Sequence, residues 1–442
     1  MSRASLTHLL ALLSEQPLSS RQIQHRLGVS QTTASRLLTR AKESIVRLGR
    51  GRATRYAATR EVFGAALAIP LFRVDERGVV SQIAELRSLA SGHYLVQGTG
   101  LFWLLGESGT GLYESLPYFL YDLRPSGFVG RQIARRLASE WGFPQDPRDW
   151  QDEQIGRYLL RRGHDLPGNL LVGEAAAALA SQRRPETVDD RATCYPELAR
   201  RVLGDELVGS SAAGEQPKFA VCLRAAGQVI VKFSPDADTP DARRWRDLLR
   251  AENQALALLA ERGIPSARTT LHLLSGRVFL ESPRFDRHGA LGRSHSLSLS
   301  MVDAEYVGLG HGWTRVADGL ARRGLLDAQS LTQIAWAEAF GAWIGNTDMH
   351  LGNVSLAPTA SGFRLLPLYD MLPMAFAPLR GELPKIELRP PIRTALNEQV
   401  WADAGQAAAH YWQRLADDSA LSTAFRRIAQ AHGRRWREVV YE

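Results

Sequence analysis

The chain has 442 residues, 45% of them hydrophobic and 23% charged, the balance of a water-soluble globular protein and more than one ordinary core can hold, so about two to four domains are expected. No apolar run reaches the length of a bilayer span and the N-terminus has no hydrophobic signal core, so a cytoplasmic location with no membrane partner is expected. The net charge of +8 is concentrated: residues 1–60 hold eleven Lys or Arg against Glu15 and Glu43, which leaves the remainder close to neutral and marks the N-terminal unit for nucleic-acid phosphates.

Leu6, Leu9, Leu10 and Leu13 recur at helical spacing, and Gln16-Pro17 ends that helix. Ser19 with Gln22 three residues on is a capping-box signal for a second helix carrying Ile23 and Leu27. Gly28-Val29 makes a turn, and Ser30 caps a third helix with Ala34, Leu37, Leu38 and Ala41 inward. Its outward face offers Gln31, Thr32, Thr33, Ser35, Arg36 and Arg40, groups suited to base edges and phosphates in a major groove. Residues 45–56 read as two short strands around a basic glycine turn with Arg50 and Arg52, the form of a wing. Residues 1–60 are therefore read as a winged helix-turn-helix DNA-binding domain.

Residues 61–195 form a second unit of mixed texture, with strands expected at 72–74, 93–96 and 100–105 and a helix around 130–139. The charged stretch 182–194 has no apolar period and reads as a linker. Cys194 and Cys222 fit neither a disulfide framework nor a zinc pattern, and read as packing residues.

A nucleotide-binding lobe is assigned to 196–320. Residues 209–218 read as a small-residue turn between two strands, whose backbone amides can approach phosphates; Glu215 stands where a Walker A loop needs Lys. Residues 228–233 form an apolar strand with Lys232 near its end, and Glu252 lies twenty residues on in a strongly helical segment, the arrangement of a kinase strand Lys and helix Glu. A strand over 278–283 leaves by a polar turn, where a hinge between lobes would present backbone groups to an adenine ring.

In the helical lobe 321–442, a buried helix over 331–344 delivers Asn346, Asp348, His350 and Asn353, and Asp370 follows after an apolar run. Mg2+ prefers one or two carboxylates or amides plus substrate phosphates, so Asn353 and Asp370 could hold nucleotide-bound metal while Asp348 orients a hydroxyl. The same residue types also cap turns, which is the competing reading of these positions. The tail from 397 is helical, with Trp401, Tyr411, Trp412 and Phe425 in the core.

The ordered series Ser211-Ala212-Ala213-Gly214-Glu215-Gln216-Pro217-Lys218, Lys232, Arg284-Phe285-Asp286-Arg287, Asp348-Met349-His350-Leu351-Gly352-Asn353 and Tyr369-Asp370 resembles the HipA family of serine/threonine kinases, the toxin half of bacterial toxin–antitoxin pairs. The similarity runs from about residue 61 to the C-terminus, and the added N-terminal unit is similar to the YjjJ type within that family. The resemblance implies an α+β, bilobal, protein-kinase-like fold behind a small winged-helix domain. It also implies ATP and Mg2+ as cofactors, Asp348 as catalytic base, and Asn353 and Asp370 as metal ligands. ATP contacts would come from Ser211, Ala212, Ala213, Gly214, Lys218, Lys232, Glu281 and His350, the last bracing its loop. Ser211 would be the autophosphorylation candidate, a charge beside nucleotide phosphates that opposes ATP binding. Implied partners are a protein substrate, an aminoacyl-tRNA synthetase in this family, together with an antitoxin and a second copy of the chain. A fused DNA-binding unit departs from the family pattern and puts the need for a separate antitoxin in doubt. The alternative is a DNA-binding transcriptional regulator whose kinase-like part senses nucleotide or dimerises.

Overall fold

The computed structural model describes residues 5–98, 100–182, 184–206 and 216–441. The expected loop contacts Ser211, Ala212, Ala213 and Gly214 lie outside the described residues.

Helices α1 (Leu6–Glu15), α2 (Ser20–Leu27) and α3 (Gln31–Arg40) pack Leu9, Leu13, Ile23, Ala34, Leu37 and Leu38 into one small core. Both arms of the capping box form at Ser19 and Gln22, and Gly28, at φ 62, ends α2 in the left-handed conformation that glycine adopts without strain. Strands β1 (Ile45–Leu48) and β2 (Arg55–Arg60) pair antiparallel from Ile45 opposite Ala58 to Leu48 opposite Arg55. Beyond this hairpin the sheet continues: Thr59 and Arg60 pair with Leu89 and Ser88, and Arg60 Nε donates to Ser88 Oγ at 2.8 Å.

The middle unit holds β3 (Ile69–Val74), β4 (Val80–Leu89), β5 (Tyr94–Gly98), α4 (Phe102–Leu105), β6 (Leu112–Tyr113), α5 (Tyr118–Tyr121), α6 (Gly127–Trp141), α7 (Asp152–Arg162), β7 (Leu170–Val172) and α8 (Glu174–Gln182). The sheet runs β1-β2-β4-β3-β7, with β5 and β6 attached through β4. The strand expected at 100–105 is instead the single helical turn α4, which buries Trp103 and Leu104 and stops at Gly106, φ 68. A run of four apolar residues carries no period, so packing decided between the two.

The linker expected at 182–194 contains β8 (Thr187–Val188), an edge strand parallel to the next sheet, and opens α9 (Arg191–Glu206). Among the described residues, the last element before the small-residue stretch is helix α9. In the next lobe, β9 (Lys218–Leu223), β10 (Gly227–Phe233), α10 (Pro240–Glu261), β11 (Thr270–Leu274) and β12 (Arg277–Pro283) give a sheet ordered β11-β12-β10-β9-β8. Val229, Val231 and Phe233 turn toward Tyr195 of α9, with Phe219 and Phe279. Strand alternation puts Lys232 on the opposite face, toward α10. Cys222 is buried and Cys194 half-buried, and burial pushes both thiols up, as packing residues require.

A hairpin of β13 (Arg287–His288) and β14 (Gly292–Arg293) leads through β15 (Leu297–Ser298) to α11 (Leu299–Tyr306), α12 (Trp313–Arg322), α13 (Ala328–Ile344), β16 (Ser355–Pro358), β17 (Phe363–Leu365), α14 (Glu398–Asp417) and α15 (Thr423–Tyr441). Trp343, Tyr411, Trp412, Phe425 and Trp436 are all fully buried here. One continuous core runs from the middle unit into this helical lobe. Among the described residues no helix is long and apolar enough to cross a membrane.

Candidate active site

Helix α13 ends at Gly345, φ 77, and Asn346 returns its backbone N–H to Gly341 O at 2.8 Å. Asn346 is 4% exposed, and its two side-chain ends reach different segments. Nδ2 donates to Asp370 O at 3.2 Å, while Oδ1 accepts from Asp348 N at 3.1 Å. Asn353 Nδ2 in turn donates to Asp348 O at 2.7 Å. Three short polar contacts therefore bring 346, 348, 353 and 370 together, although 24 residues separate the first from the last. Asp348 itself is exposed to solvent. Tyr369 adds a clamp, its hydroxyl donating to Gly352 O at 3.0 Å and meeting Ser355 Oγ at 3.1 Å. His350 Nδ1 accepts from Gly352 N at 3.1 Å, the bracing geometry expected of it.

Lys232 Nζ lies 2.5 Å from Glu252 Oε1 and 2.5 Å from Asp370 Oδ1, one ammonium between two carboxylates. Burial would raise the Asp370 carboxyl, but Lys232 and then Lys218 outweigh it and hold it at about 2. Burial likewise opposes the charge on Lys232, yet Asp370 and Glu252 push its pKa up. Unlike Asp370, Glu252 has its pKa raised, by burial first. Lys218 begins β9 directly across from Lys232. Asp370 also carries φ 55, a left-handed backbone uncommon outside glycine, of the kind that functional sites retain.

Glu281 departs from expectation. It sits opposite Val231 on β12, so its side chain lies on the face away from Lys232. There Arg191 grips it with Nε at 2.6 Å and Nη2 at 3.0 Å, and the Tyr195 hydroxyl donates at 2.5 Å. The carboxylate ties α9 to the sheet, so the side chain is engaged there and not toward Lys232. Arg284-Phe285-Asp286-Arg287 also serves structure: Asp286 accepts from Gly168 N at 2.8 Å, from Arg284 Nε and Nη2 at 2.9 and 2.8 Å, and from Arg287 Nη1 at 2.6 Å. Burial opposes its charge, and Arg284 first among its partners holds its pKa low. This cluster fastens the middle unit to the exit of β12.

The residues present fit a nucleotide-bound Mg2+. Asn353 has committed its N–H to Asp348 O and retains its Oδ1 acceptor; Asp370 has committed Oδ1 to Lys232 and retains Oδ2. One amide oxygen and one carboxylate oxygen are what this hard cation takes when phosphates supply the rest. Glu252 Oε2 is buried without a partner among the described residues, a further negative end beside the lysine. A cavity of about 790 Å³ lies elsewhere, between α9, β9 and the middle unit, and neither Lys232 nor Asp370 lines it. Hydrogen bonding and charge, not that hollow, locate the site.

Of the residues expected to face DNA, Gln31, Thr32, Ser35, Arg36, Arg40, Arg50 and Arg52 are exposed. Thr33 is half-buried, its N–H and hydroxyl drawn to Ser30 Oγ at 3.3 and 3.1 Å in the cap of α3, so it is the least available of the group.

Residues 65–180 match the family model of the YjjJ-like toxin middle domain, and residues 210–439 match the HipA-like C-terminal domain. Toxin YjjJ of Escherichia coli (strain K12) is 36% identical over 443 residues, covering 98% of each chain. The chain belongs to the YjjJ-type, HipA-like toxin family. Among solved structures, the HipA of Shewanella oneidensis MR-1, solved with HipB and its operator DNA, superposes at a TM-score of 0.57 with 17% identity, over 85% of this chain and 99% of that one. The likeness gives the α+β, bilobal HipA fold.

Proposed function

We propose that this HipA-like chain is an ATP- and Mg2+-dependent serine/threonine protein kinase whose first sixty residues, as a winged helix-turn-helix, bind DNA. The observation that carries the reading is Lys232, held between Glu252 and Asp370, with Asn346 joining Asp370 to Asp348. Lys232 and Lys218 receive the nucleotide phosphates; Glu252 keeps Lys232 charged and aimed. Asn353 and Asp370 hold the metal, which when bound neutralises charge on the transferring phosphoryl group. Exposed Asp348 meets the incoming Ser or Thr hydroxyl, orients its oxygen and accepts its proton. Ser211 remains the candidate for regulatory self-modification.

The Shewanella HipA was solved with HipB and operator DNA. In this chain a basic unit of its own takes the DNA, at Gln31, Thr32, Ser35, Arg36, Arg40, Arg50 and Arg52. The setting is a cytoplasmic toxin or growth-control system, with an aminoacyl-tRNA synthetase as the family's form of target and an antitoxin or second copy as further partners.

Incubation with labelled ATP and Mg2+, followed by mapping of the modified residue, tests the kinase reading. Asp348→Asn is expected to lower transfer by roughly 10²–10⁴-fold, the usual worth of a positioned acid or base. Transfer by Asp348→Asn and Asp370→Asn at the unmutated rate rejects the reading. The regulator alternative is favoured by the excess of eleven basic over two acidic residues in 1–60. Under it, an Arg36→Ala/Arg40→Ala protein loses the growth phenotype while Asp348→Asn keeps it.

A further inference from the structure

His350, Leu351 and Gly352 also line a second cavity, of about 490 Å³, whose other walls are α11 at Ser300, Met301 and Ala304 and the turn at Gly308 and Gly310. Neither Lys232 nor Asp370 lines it. The turn is fixed by one buried side chain. Leu309 N and Gly310 N donate to Asp303 Oδ1 and Oδ2 at 3.0 and 2.7 Å, and Val307 N and Gly308 N donate to the Asp303 carbonyl at 2.9 and 2.7 Å. Gly308 and Gly310 take φ 80 and 76, and a Cβ on either meets nothing within 4 Å. These glycines therefore answer a backbone requirement and leave the cavity mouth without side chains.

The far end of the turn is joined to the catalytic stretch. Trp313, fully buried, donates Nε1 to His350 O at 3.0 Å, and Glu338 accepts Trp313 N and Thr314 N at 2.8 and 2.9 Å. Both walls are thus held before anything binds, and the volume falls within the range of roughly 300–1,000 Å³ typical of ligand sites. The Asp303 carboxylate already accepts one backbone N–H on each oxygen, and no Lys or Arg lines the space. That lining, with no Lys or Arg in it, suits a peptide backbone with small or apolar side chains better than a phosphate-bearing ligand.

We propose that this groove seats an extended Ser- or Thr-bearing segment of the protein substrate, with an apolar residue beside the acceptor against Met301 and Leu351. The inference rests on the phosphotransfer reading, since a chain crossing His350 passes two residues from Asp348. Ala304 is exposed on α11 and outside the transfer machinery, which makes it the position to fill.

The test uses the full chain, ATP, Mg2+ and a degenerate peptide pool with a fixed central Ser or Thr. Ala304→Trp is expected to lower peptide labelling by roughly tenfold through the peptide KM, with ATP affinity unchanged. Positional scanning is expected to show apolar preference next to the acceptor. Unchanged peptide labelling by Ala304→Trp overturns the groove, as does an unmutated chain that labels itself but no peptide in the pool. An unmutated chain that labels neither itself nor peptide rejects the kinase reading, and the groove with it, which is a distinguishable result.

Discussion

Asp370 carries a carboxyl held at about 2 against an ordinary 3.8, and that difference is a statement about acid stability. A depressed folded value means the unfolded chain takes up the proton first as pH falls. The contribution is complete above about pH 4 and is lost as pH drops toward 2, so urea unfolding of the native chain should weaken across that window. Asp370→Asn should flatten this part of the curve. At Asn346, truncation to alanine leaves the Asp348 N–H without its acceptor and the Asp370 carbonyl without its donor. Stability should fall by about 1–3 kcal/mol in urea titration, and transfer should fall with Asp348 still in place. Asp348, Asn353, Lys232 and Asp370 could be picked from the sequence because their chemistry fixes their type and order. Asn346 and Tyr369 could not be ranked that way, since their worth lies in a carbonyl partner many residues off. Glu281 needed the register of β10 against β12 before its facing could be known.

Element boundaries followed local signals wherever a cap was present. The box at Ser19, the turn at Gly28 and the glycine closing α13 all stand where those residues require them. Among the stretches that escaped, α4 and β8 are only four and two residues long, and there tertiary packing outweighs propensity. Helix α12 shows why some caps cannot be read locally. Its N-terminal amides are received by Glu338 from α13, two dozen residues downstream. Glu338→Ala should cost about 1–2 kcal/mol, comparable to loss of an N-cap, measurable by urea unfolding. Hydrogen exchange should accelerate at Trp313 and Thr314 ahead of the rest of α12.

Across the whole molecule, the seam between the middle unit and the nucleotide lobe depends on Asp286, which is 6% exposed and balances Arg284 and Arg287. Asp286→Ala takes the carboxylate from Arg284 and leaves the buried Arg287 with Asp165 alone, and should destabilise the chain by about 3–5 kcal/mol, with unfolding divided into separate transitions. The pairing of Thr59 and Arg60 with β4 has a practical outcome of its own. Val46, Ala57, Leu89 and Leu95 form one apolar cluster spanning that junction. Cutting the chain after residue 60 would strip the terminal two rungs of β4 and leave Leu89 and Leu95 wet, a sticky border prone to self-association. A truncated toxin that precipitates would then report on a frayed sheet, not on lost operator recognition, and surface arginine replacements are the cleaner way to separate the two halves of this protein.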